Sequence, residues 1–152
     1  MSEISIRPGT LEDVETVVRH RIEMFRAMGI NEEHLAAMEQ PARAYFSEAM
    51  AKGRYLAFLA DDNGKVVAGG GIVLLHWPAT ASEARDSRPM ILNMFTESEY
   101  RRRGLARRIM QAMLDWCRQE GYKSVSLHAS EYGRPLYESM GFQPTNEMRL
   151  NF

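Results

Sequence analysis

The sequence predicts an α/β fold, a mixed sheet with helices on its faces, and three observations predict it. Short apolar runs alternate with amphipathic segments along the chain, as strands interleaved with helices do. Two of those runs are joined by Asp61-Asp62-Asn63-Gly64-Lys65, the composition of a hairpin turn. A third run, residues 90–96, leads through an arginine- and glycine-rich turn into a long amphipathic stretch. A length of 152 residues supports one core, so residues 1–152 read as one domain.

Taken in order, residues 4–7 alternate as a short strand and stop at Pro8-Gly9. Thr10 then caps a helix with Leu11, Val14, Val18, Ile22 and Phe25 on one stripe. Asn31 offers a second cap for a helix to about Met50, with a break or kink expected at Pro41 and an end at Gly53. Residues 55–60 and 66–75 should pair antiparallel across the turn. The polar stretch 76–88 reads as a loop able to shape a pocket. Residues 90–96 form a buried strand. Residues 104–120 form a helix with Leu105, Ile109, Met113 and Trp116 on one side and Gly121 as terminator. A strand at 125–129, a short helix at 134–140 stopped by Gly141 and a last strand at 148–152 complete the expectation. Gly69-Gly70-Gly71 lies inside a strand pattern and lacks the Lys-Ser/Thr of a phosphate loop, so it marks a bulge or a close backbone contact.

With 19 basic and 20 acidic residues the formal charge is −1, so no overall field gathers nucleic acid or an anionic membrane. Affinity for an anion must be local, and Arg101, Arg102, Arg103, Arg107 and Arg108 form the one cationic cluster. Glu97 and Glu99, close by, suit a cap or ion pairs with that cluster. Cys117 is the single cysteine, which excludes an internal disulfide and a multi-thiolate metal site. No metal is expected. The N-terminus lacks the pattern of a signal peptide and no apolar run reaches the ~20 residues of a membrane span, so the expected address is cytoplasmic.

A helix start carries unpaired N–H groups and the positive end of the helix dipole, so a strand-turn-helix junction binds phosphate where the main chain is unobstructed. Gly104 and Ala106 leave it unobstructed, and Arg101, Arg102 and Arg103 add cationic donors. The spacing Arg-x-x-Gly-x-Ala, after an apolar strand and before an amphipathic helix, resembles the acetyl-CoA signature of the GNAT N-acetyltransferase superfamily. A second segment, Ser130-Glu131-Tyr132-Gly133-Arg134-Pro135-Leu136-Tyr137 followed by Gly141-Phe142, resembles that superfamily's other hallmark, a Tyr four residues before Gly-Phe. In motif the resemblance covers residues 90–142.

The resemblance implies a mixed, mostly antiparallel sheet flanked by helices and an acetyl-CoA-dependent N-acetyltransferase in which a neutral amine attacks the thioester directly. It implies a main-chain oxyanion donor among Met94, Phe95 and Thr96, with Phe95 the middle candidate. The coenzyme is expected against those three, Arg101, Arg102, Arg103, Gly104, Leu105, Ala106 and Arg107, and against Ser130 and Arg134. Ser130 stands where many relatives carry Asn. Tyr137 is the implied general acid for the leaving thiolate, since a phenol of pKa about 10 is within reach of a thiol of about 8.5. The Glu that some relatives use as base falls at Met90, so the base does not carry over; His128 and a water path remain candidates, with His76 behind them. Glu23, Met24, Phe25, Tyr45, His76 and Trp77 fall where the pocket for a small-molecule or peptide amine is expected. Two rival readings are a catalytically silent acetyl-CoA-binding regulatory domain and a nucleic-acid module using residues 101–108. Edge strands of such sheets often pair subunits, so a homodimer is compatible.

Overall fold

The computed structural model describes residues 3–152. Five strands, β1 (Ser5–Pro8), β2 (Tyr55–Asp62), β3 (Lys65–His76), β4 (Ser87–Thr96) and β5 (Ser126–Leu127), form one sheet in that order. Neighbours from β1 to β4 are antiparallel, and β5 lies parallel to β4. The helices are α1 (Val14–Ala27), α2 (Glu32–Ala51), α3 (Leu105–Gln119) and α4 (Arg134–Ser139). The sheet is therefore mixed and mostly antiparallel, as expected.

Strand alternation divides the core. Ala57 and Leu59 pack with Val14, Val17, Val18, Phe46 and Ala49 beneath α1 and α2. On the opposite face Ala60, Ala68 and Ile72 pack with Ile109, Met110, Met113 and Tyr137 beneath α3 and α4.

Local signals account for most boundaries. Thr10 and Asp13 form a capping box, but around a 3₁₀ turn (Leu11–Asp13), so α1 proper begins at Val14. Asn31 caps α2 by accepting from the His34 N–H at 2.9 Å. α2 runs through Pro41 without a break; Pro41 is exposed, so the carbonyl deprived of its partner one turn earlier can meet water.

Two strand expectations need correction. The segment 125–129 pairs only over Ser126–Leu127, and residues 148–152 form no strand. Met148, Leu150 and Phe152 alternate correctly but stand exposed, because a strand exists only where a neighbour supplies a ladder and β5 is two residues long.

Gly71 is required by packing. A Cβ there would fall inside the Tyr55 phenol, which is fully buried and fixed by a 2.9 Å hydrogen bond from Asn93 Nδ2. Gly71→Ala should therefore destabilise the fold by ~2 kcal/mol or more. Urea unfolding checks this, and an unshifted midpoint would show that Tyr55 is not locked.

Candidate active site

The site begins with a fault in β4. Ile91 faces the α3 cluster and Leu92 the α1/α2 cluster, as alternation requires. Asn93 then turns to the same face as Leu92, where it reaches Tyr55. Met94 returns to the α3 side, and Phe95 faces α1 with its ring 5.0 Å from His20. The register agrees: Leu92 lies opposite Gly71 and Phe95 opposite Gly69, leaving two residues against Gly70. This is a β-bulge, with Asn93 at φ 63°. The glycine run marks both a bulge and a close contact, since a Cβ on Gly70 would overlap Met94 Sδ.

On its other side β4 loses its neighbour. β5 pairs with Met90 and Ile91 alone, so the sheet opens beyond them and the main chain of Met94, Phe95 and Thr96 borders the opening. The chain then passes through a 3₁₀ turn (Ser98–Tyr100) into α3, whose N-cap is Gly104 at φ 78°. Nothing lies within 4 Å of where a Cβ on Gly104 would be. Among the described residues, the N–H groups of residues 102–107 meet no protein acceptor. A turn of bare amides at the positive end of a helix, with open space above it, fits a pyrophosphate.

The arginines around this turn are not equivalent. Arg101 Nε donates to the Thr96 carbonyl at 3.1 Å, and Arg103 lies over the Tyr100 ring at 4.8 Å. Arg107 reaches Ser139 Oγ at 2.9 Å, and Arg108 donates to the Ile4 carbonyl at 2.8 Å. Arg102, at φ 63°, is exposed. Leu105 is buried under the turn and Ala106 half-buried. The ion pair expected between Glu97 and this cluster is not formed. Glu97 pairs with Arg19 of α1 at 2.7 Å, because the turn carries its side chain toward α1.

Tyr137 on α4 is buried, with its ring edge against Phe142. Burial alone raises its pKa, and its hydroxyl makes no hydrogen bond among the described residues. Ser130 accepts the Gly133 N–H at 3.1 Å and so shapes the turn before α4; Arg134 pairs with Glu138 at 2.6 Å. His128 is exposed and meets Glu147 at 2.9 Å. His76 is exposed near Asp86, and Trp77 lies under Arg88. Cys117 lies on the buried side of α3, where burial pushes its thiol up to about 11, so it is protonated at neutral pH. Cys117→Ala should leave turnover within about twofold; an inactive but folded variant would point to a covalent path.

Four residues that sequence reasoning passed over meet on the α1 face of the bulge. His20 is fully buried, its Nε2 has no partner, and burial pulls its pKa down to about 4, so it is neutral. Arg21 Nη1 donates to Asn93 Oδ1 at 2.7 Å, and Asn93 in turn donates to Tyr55. A signal for Arg21 existed. It falls on the same helical stripe as Val14, Val18 and Phe25, a cation where an apolar residue belongs.

An opened sheet, a bulge at the opening and a helix start with bare amides define a mixed α/β protein whose sheet splits between two parallel strands beside an unobstructed helix start. The chain belongs to the GNAT acetyltransferase family, whose model, described as an acetyltransferase (GNAT) domain, matches residues 25–151. It is similar to a GCN5-related N-acetyltransferase from Ralstonia eutropha, with 34% identity, 99% of each chain covered and a TM-score of 0.93. It is also similar to a predicted acetyltransferase from Clostridium acetobutylicum solved with acetyl-CoA, with 25% identity, 98% of this chain and 96% of that one covered, and a TM-score of 0.90. Human N-acetyltransferase 8 is 30% identical over 93 residues, which are 59% of this chain and 39% of the human protein. The match thus spans well under half of that relative's length.

Proposed function

We propose that this protein moves the acetyl group of acetyl-CoA to a primary amine by direct attack in a ternary complex. The observation that carries the reading is the run of unpaired amides at residues 102–107 beside the opened end of β4. Gly104 keeps the approach clear, and the neighbouring arginines add charge. Acetyl-CoA would supply the activated thioester.

The chain's own residues have two tasks. One main-chain N–H among Met94, Phe95 and Thr96, which border the opening, would donate to the thioester oxygen as it gains charge. Tyr137 holds a proton for the departing sulfur. The acceptor amine must lose its own proton first, since an alkylammonium of pKa about 10 is almost wholly charged at neutral pH. Water reaching the opening is the favoured acceptor of that proton, because His20, although neutral, is buried on α1; exposed His128, beside Glu147, is the side-chain alternative.

Among the described residues no helix is long and apolar enough to cross a membrane. The contacts that tie Arg101, Arg103, Arg107 and Arg108 to the protein favour the coenzyme reading over a nucleic-acid stripe. The test is thiol release from acetyl-CoA across a panel of amines. Release that depends on the acceptor is expected; binding of acetyl-CoA with no acceptor-dependent thiol would favour a silent regulatory domain.

A further inference from the structure

Arg7 and the arginines of α1 and α2 other than Arg21 pair with acids. Arg7 pairs with Asp13 and Asp61, Arg19 with Glu97, Arg26 with Glu23 and Glu32, and Arg43 with Glu15. Arg21, between two of these on α1, has none. Its one hydrogen bond among the described residues goes to the neutral Asn93. The guanidinium otherwise lies on aromatic faces, 5.1 Å from the Phe25 centroid and 5.9 Å from that of Phe46. Burial pulls its pKa below the usual guanidinium range, and the phenols of Tyr55 and Tyr45 that lie near it are neutral.

A desolvated cation with no counter-ion is costly to the fold, and its cation–π contacts offset only part of that cost. Asn93 alone does not explain it, since a neutral donor would hold the bulge equally well. What Arg21 adds is charge and a set of unused N–H donors. They sit on the α1 face of β4, against the bulge residue and two positions before Phe95. Arg21 is half-buried, so one side of it remains open.

We propose that Arg21 binds a carboxylate carried by the acceptor, which makes the acceptor class amino acids or peptides with a free carboxylate close to the reacting amine. The inference rests on the acetyl-transfer reading above. The planar guanidinium fork accepts two oxygens of either anion, but a carboxylate fits better than a phosphate because no second cation stands beside it to balance a second negative charge. Phe25 and Tyr45, both expected from the sequence near the acceptor, flank the same group.

The test uses acetyl-CoA and matched acceptors: amino acids, their primary amides, and aminoalkyl phosphates of similar length. Wild-type protein should favour the acids over the amides by about 100-fold in kcat/KM, through KM. In Arg21→Met that ratio should fall to near one, with Arg21→Lys between. Equal use of acids and amides by the wild type overturns the proposal while leaving acetyl transfer intact, and so does a preference for the phosphates. Parallel losses on both acceptors in Arg21→Met, with the ratio kept, assign Arg21 to holding the bulge instead. If Arg21→Met does not fold, the wild-type ratio decides alone. No acceptor-dependent thiol with any amine removes the acetyl-transfer reading and this one with it.

Discussion

Gly104→Val should abolish measurable binding of coenzyme A to a folded protein. At φ 78° a β-branched residue is strained by ~1–3 kcal/mol, a cost that a domain of ordinary stability of ~5–15 kcal/mol survives. No protein atom lies within 4 Å of the new Cβ, so the core is undisturbed. The added methyls would occupy the open space over the amides of residues 102–107, where a pyrophosphate must come within ~3 Å of the main chain. Calorimetry should show at least a 100-fold loss of affinity, with an unchanged circular dichroism spectrum. Normal affinity would mean that the ligand does not use this turn.

Tyr137→Phe should lower turnover by ~100-fold or more while changing acetyl-CoA affinity by less than about twofold. The split follows from timing, because the hydroxyl is needed only as negative charge reaches the sulfur. Burial raises the pKa of this phenol above its ordinary 10. The same desolvation raises a thiol beside it, so the proton transfer is not made harder by the shift alone. The sign also fixes a pH expectation. A raised phenol pKa keeps Tyr137 protonated further into alkali, so it should produce no falling limb in the rate below about pH 10. Unchanged turnover in the variant would remove Tyr137 from the reaction.

How much of this was legible in the sequence differs by element. The start of α3 was, because Gly104 at a left-handed position and the absence of side-chain obstruction are local properties. Tyr137 was legible by its spacing to Gly141-Phe142. The bulge was only half visible: Gly69-Gly70-Gly71 betrayed a close approach, but which residues of β4 would swell against it depends on the register between two strands. The last strand failed for the same reason, since Met148, Leu150 and Phe152 carry the right period without a partner to pair with. Glu97 was assigned to the nearby arginines by sequence distance, whereas the fold brings Arg19 of α1 closer. Arg21 was overlooked because arginine on an amphipathic helix usually faces water; its place on the Val14, Val18 and Phe25 stripe was the counter-signal.

Acetyl transfer as proposed requires that the amides at the start of α3 hold the coenzyme. The most direct measurement is a titration of isotope-labelled protein with coenzyme A, followed through the backbone amide resonances. The amides of residues 102–107 should shift downfield together, with one shared affinity, as they acquire an acceptor. Saturable binding that leaves those amides unmoved while resonances elsewhere shift would contradict it.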